Sequence, residues 1–380
     1  MKRLVLATTI LALLCPFALA ADEAGGERDS LRVFYLASGL TGCSQPEWHD
    51  ELGASAGKEW VCNYLLARSQ LWSHCEELAV DQATVSAGPE GQPTVDPQSI
   101  ESATFGAKNE FYKPGPWEAL VLEASGTPLE QTVTELWGGR VKFDEPTDIG
   151  ATASAVKIME LQRKLNPESR FYIHATWPRM PAGEVPPEDE LSEWAKAEGT
   201  QVSSGEFPRR EDFDYELEWS EVRYSLPDPR GKHNRDCRDY FYQHFEALKE
   251  RFPDFAEQGR LQMIPTGDVL LALEKKMRAG EFPGVETVTD FYTDNINLRA
   301  GLPRYTVAAT FYAVLFEESP EELDWSIYND PEKYGDDPRH DEGELLQITE
   351  ERARIVKETV WDVVAGHPHT GIPADQQPAE

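Results

Sequence analysis

The chain has 380 residues and carries 68 acidic against 36 basic side chains, a formal charge of −32. That length accommodates one large α/β domain or two modest ones. The charge excludes nucleic acid and an anionic membrane surface as partners, because both would be repelled.

Lys2-Arg3, the apolar run Leu4 to Leu14 and Ala18-Leu19-Ala20 read as a secretory signal cleaved before Ala21. The expectation is an exported protein, secreted or periplasmic, with residues 1–20 as signal, 21–366 as one domain and 367–380 as a tail. Cys15 lacks a lipoprotein context, and no later apolar run reaches the length of a membrane span. Arg32 to Leu36 is β-branched, aromatic and nearly all apolar, which predicts a strand covered on both faces, broken by Ala37-Ser38-Gly39. Small residues after a first parallel strand lie at the carboxyl edge of the sheet, where α/β folds place ligands. Lys58 to Leu71 reads as a helix with Trp60, Tyr64 and Leu71 among its apolar positions, followed by a weak strand near Leu78 to Val85 and a Pro/Gly/Ser-rich excursion from Gly88 to Pro116.

Trp117 to Glu123 is the next strand, and Asp148 to Leu165 a helix capped by Thr147 or Asp148 and stopped by Asn166-Pro167. Arg170 to Trp177 reads as a strand that buries His174 and delivers Trp177 and Arg179 to the ligand edge. There an indole stacks on a sugar ring and a guanidinium holds a carboxylate or sulfate, although Trp177 also suits plain packing. Residues 181–232 form an acidic, Pro-rich insertion in which the aromatic alternation from Phe213 suggests a hairpin or lid. Asn234 to Phe252 returns to a helix, Leu261 to Pro265 to a strand, Asp268 to Arg278 and Pro303 to Phe316 to helices. Thr349 caps a last helix closed by Gly366. Strand and helix alternate, so the fold class is α/β with a mainly parallel sheet.

Four cysteines follow the signal, Cys43, Cys62, Cys75 and Cys237, an even number that suits one or two disulfides in an exported chain, with the pairing open. No spacing fits a structural zinc site, and no cofactor motif is present. The acidic loop 336–342 has oxygen ligands of the kind calcium favours but no EF-hand spacing.

The string RVFYLASGLTG from Arg32 resembles the first block of the SGNH (GDSL-type) hydrolases, and LQMIPTGDVLLALEKKMRAG with DFYTDNINLRAGLPRYTVAATFYAVLF resembles their later blocks. The closing TVWDVVAGHPHTG is similar to the last helix of secreted members, so the resemblance spans nearly the whole chain beyond the signal. It implies a three-layer α/β/α domain of about five parallel strands, flavodoxin-like, with ester hydrolysis as its chemistry and carbohydrate as the first substrate class. It also places Gly39 at the family's nucleophilic serine and Asn297 at the histidine of the Asp-x-x-His pair, with Asp294 kept. An asparagine amide has no titrating base near neutral pH. Glycine as an αL turn residue and Asp294 as a helix cap are the plain alternatives.

Of the usual oxyanion donors, only Ser125 or a backbone amide stands after the strand at Trp117. The resemblance therefore implies a protein that lost serine-esterase chemistry and binds a glycan or small ligand in the inherited cleft. One alternative is a carbohydrate esterase using Ser38 with Asp294, helped by water or His174. Another is a structural or partner-binding envelope protein.

Overall fold

The computed structural model describes residues 28–66, 70–78, 80–83, 85–87, 93–95, 111–112, 117–136, 141–183, 208–225, 235–334 and 345–372. Residues 1–27, which include the segment expected to be a signal, the acidic loop 336–342 and most of the 88–116 and 181–232 segments lie outside them.

Five parallel strands form the central sheet: β1 Ser30–Ala37, β2 Glu59–Leu66, β3 Ala119–Glu123, β4 Arg170–His174 and β5 Leu261–Ile264, in the order β2-β1-β3-β4-β5. Strand β1 is flanked on both sides, with Leu36 opposite Leu65 of β2 and Leu122 of β3. Its near-continuous apolar sequence follows from that position, since both of its faces are covered. Phe34 meets Phe111 and Trp117 on one face, while Tyr35 meets Phe311 on the other. Two small antiparallel pairs, 85–87 with 93–95 and 132–136 with 141–148, stand apart from this sheet.

The helices are α1 Gly39–Gly42, α2 His49–Ser55, α3 Leu71–Glu77, α4 Ala151–Leu165, α5 Arg238–Arg251, α6 Pro253–Glu257, α7 Thr266–Arg278, α8 Leu302–Phe316 and α9 Glu350–Gly366. One group packs as α3 on α4 on α5; the other packs as α7 and α8 on α9, with α2 against β2. The sheet with its two helical groups is the expected three-layer α/β arrangement. Every residue of α8 except Arg304 is buried, so α8 is a core helix with no wet face to spare. Among the described residues no helix is long and apolar enough to cross a membrane.

Several local expectations change. The segment expected as a helix from Lys58 to Leu71 holds β2 instead. Trp60 and Tyr64 are four apart, a spacing that also places both on one face of a strand. Of the weak strand expected near Leu78 to Val85, Leu78 caps α3 and Val80–Gln82 is a 3-10 turn, while a short strand, Val85–Ala87, begins only at its last residue. The expected hairpin after Phe213 is a helical turn ending in a π-type segment, Leu217–Glu221, and buries Phe213, Tyr215 and Trp219.

All four cysteines are free thiols, a correction to the expected disulfides. Cys62 and Cys75 sit on different elements and donate to different carbonyls, Pro46 at 2.9 Å and Ser154 at 3.4 Å. The start of the tail is anchored: the Met263 N–H donates to the His369 carbonyl at 2.7 Å, and the Tyr242 hydroxyl and His367 Nε2 are hydrogen-bonded at 2.8 Å.

Candidate functional site

Strand β1 ends at Ala37, and Ser38 caps α1 with extended backbone, φ −111° and ψ −168°. Its hydroxyl accepts the Leu40 N–H at 3.2 Å. Beneath this turn lies Glu123, the last residue of β3, buried and surrounded by donors. Its carboxylate accepts the N–H groups of Ser38 and Thr41, each at 2.9 Å, the Ser125 hydroxyl at 2.8 Å and the Ser38 hydroxyl. Burial opposes ionisation of Glu123. His174 beside it, together with the Ser38 and Thr41 hydrogen bonds, outweighs that and holds the carboxyl below its ordinary value.

His174 ends β4 in register with Glu123, fully buried. Its Nδ1 pairs with the Thr41 hydroxyl at 2.8 Å and its Nε2 with the Thr266 hydroxyl at 3.1 Å. Burial lowers its pKa against the pull of Glu123. The carboxylate and imidazole thus tie the ends of β1, β3 and β4 to the start of α7. Ser38, Ser125 and His174 belong to this buried network. The Ser38 hydroxyl both donates and accepts within it.

Above the turn, a cavity of about 260 Å³ is lined by Gly39, Gly42, Cys43, Thr293, Asp294, Asn297 and Arg304. The far wall is the loop between Tyr292 and Leu298, closed by an antiparallel bridge between those two residues. Asp294 organises it: Oδ1 accepts the N–H groups of Ile296 at 2.8 Å and Asn297 at 2.7 Å, and Oδ2 accepts the Asn297 side-chain amide at 2.7 Å. The loop is held from below, where the Trp177 indole N–H donates to the Ile296 carbonyl at 2.7 Å and the Met180 N–H to the Asn295 carbonyl at 2.8 Å.

Asn297 Oδ1 lies 3.5 Å from the place a Cβ on residue 39 would occupy. That is ordinary van der Waals contact, so a side chain fits at residue 39 and would meet residue 297. Gly39 is the first residue of α1 and is not among the glycines with positive φ, so the turn does not demand glycine there. The structure therefore brings Gly39, Asp294 and Asn297 together around one cavity. Trp177 is fully buried and presents no stacking face to the cavity. Arg179 is exposed and lies 3.8 Å from Asp236, outside the cavity lining.

Sequence reasoning did not place three residues at the site. Glu123 had one signal, a charge closing an otherwise apolar strand. Cys43 follows Gly39 by four, the spacing that shares a helix face. Burial raises its thiol pKa, with Arg304 pulling the other way. Arg304 is the one charge in an apolar helix; its Nε donates to the Leu298 carbonyl at 3.2 Å, and its guanidinium lies 5.4 Å from the Tyr334 ring centroid.

Fold and site together define a three-layer α/β protein with a polar cavity at the carboxyl edge of its sheet, where ligands of such folds bind. No family model and no curated protein matches the sequence. Among solved structures the chain is similar to a DUF4886 family protein from Bacteroides uniformis, at 13% identity and a TM-score of 0.41, over 87% of this chain and 93% of that one. That likeness carries no functional assignment.

Proposed function

We propose that this is an SGNH-hydrolase-like protein, exported on the reading of its N-terminal sequence, which binds a glycan or small ligand at the carboxyl-edge cavity and no longer performs serine-ester hydrolysis. The observation that carries the reading is the contact geometry of residues 39 and 297. A glycine that the backbone does not require faces an asparagine that Asp294 holds by its side chain, as it would hold the imidazole of a catalytic histidine. The pair has the layout of a nucleophile and a base, with neither chemistry present. What remains suits recognition: the Asn297 amide and Thr293 hydroxyl as hydrogen-bonding groups, and Arg304 as a cation at the rim of a small cavity.

The esterase alternative needs the Ser38 hydroxyl as nucleophile, and that hydroxyl is engaged by Glu123 and by the Leu40 N–H beneath the turn. The test is binding without turnover. Acetylated xylo-oligosaccharides titrated by calorimetry should bind and release no acetate, and Asn297→Ala with Arg304→Ala should weaken binding at least tenfold. Binding indifferent to both substitutions would place the ligand elsewhere and end this reading.

A further inference from the structure

A second groove, of about 710 Å³, lies between the outer face of α9 and the segment 319–325 that follows α8. It shares no lining residue with the carboxyl-edge cavity. Helix α8 starts beside the cavity, where Arg304 is, and its fifteen residues carry the chain roughly 22 Å away. Beyond its end, Glu317 pairs at 3.3 Å with Arg170, the first residue of β4, and so marks the amino edge of the sheet.

Eight tryptophans fall in the described residues, and six of them are buried. The two that are not, Trp325 and Trp361, both line this groove, one from each wall. Each indole packs partly on the core and leaves the rest of its apolar face at the groove, and two in one concavity form a surface for a flat, partly apolar ligand. Around them the groove is densely polar, and its cations are already held. Arg354 Nη1 lies 2.7 and 2.8 Å from the two oxygens of Glu358, and Lys357 Nζ donates to the Glu321 carbonyl at 2.6 Å. Asp362 adds a further carboxylate beside Trp361.

This chemistry discriminates between occupants. A protein partner docking through an apolar face needs a line of apolar anchors, and the α9 wall offers charged side chains around a single indole. An anionic ligand meets more carboxylates than cations here, on a chain of charge −32. A neutral sugar matches both parts: its C–H faces lie on indoles, and its hydroxyls find fixed donors and acceptors. We propose that the Trp325–Trp361 groove is a binding site for neutral saccharide chains, separate from the carboxyl-edge cavity and independent of the reading given for it.

The test is affinity electrophoresis in gels containing soluble glucan, xylan or mannan, with a polyuronate gel as the anionic arm. Wild type should be retarded by at least one neutral polysaccharide and not by the polyuronate. Trp325→Ala and Trp361→Ala, each matched to wild type by circular dichroism, should lose retardation at least tenfold. They lie on different elements, so either folded variant suffices, and Trp361→Tyr should restore part of the effect. Arg251→Ala, an exposed position on α5 that lines neither the groove nor the cavity, should leave retardation unchanged. No retardation in any neutral gel, retardation surviving both tryptophan substitutions, or equal retardation by the polyuronate would each overturn the proposal.

Discussion

Glu123 shows how one buried charge shapes the site. Its carboxylate receives two backbone N–H groups and two hydroxyls, so its lone pairs are filled and the turn carrying Gly39 has a fixed position. Glu123→Gln keeps the shape but turns an amide donor toward a cluster of donors. Each buried donor left without an acceptor costs about 1–3 kcal/mol, so the variant should lose about 3 kcal/mol in urea unfolding. Ser38→Ala, which removes a cap but leaves the carboxylate three other donors, should lose only about 1 kcal/mol. Equal losses for the two, or a Glu123→Gln loss under about 1 kcal/mol, would show that the carboxylate is not the anchor. This residue was barely legible beforehand, because a glutamate ending a strand looks the same whether it meets water or four donors. Gly39, Asp294 and Asn297 were legible as a group through resemblance, and their contact across the cavity needed the fold. Trp177 went the other way: its place at a strand end suggested a stacking surface, and its burial under the 292–298 loop makes it a support.

At the level of elements, legibility followed burial. Strand β1 and helix α8 are covered on all sides, and their unbroken apolar runs announced them. Strand β2 lies at the sheet edge, half-buried along much of its length, so its Trp60 and Tyr64 gave only a four-residue spacing that fits helix and strand alike. The turn at Leu217–Glu221 failed for the same reason: Tyr215 and Trp219 alternate with acids but stand four apart, and the buried pocket beside Gly267 decides in favour of a helix. The disulfide expectation came from counting cysteines, and counting is blind to distance. Each thiol went to its own element.

For the whole molecule, buried histidines set the response to acid. Burial pushes His49, His244 and His367 down to about 3, with His369 and Arg238 adding to the effect at His367. In the unfolded chain these groups titrate near about 6.5. Between those values the unfolded state binds more protons, so stability falls as pH falls through that window. Glu123 acts in the same sense further down: its folded value is depressed, so its contribution is full above its unfolded value of about 4.3 and lost as pH falls through the folded one. Surface carboxylates stay ionised above about pH 5, so relief of their mutual repulsion enters only lower down. Urea unfolding at pH 7.5, 6.0 and 5.0 should therefore show a steady loss, shallower in His244→Gln; a flat or rising trend would contradict this assignment.

The central claim, that the carboxyl-edge cavity keeps the geometry of a serine hydrolase without its chemistry, meets its most direct test in p-nitrophenyl acetate hydrolysis by the pure protein and its Ser38→Ala variant. Both should turn over at the same rate as buffer with an inert protein. Hydrolysis by wild type that disappears in Ser38→Ala would show that the buried serine is the nucleophile and that the cavity is an active site.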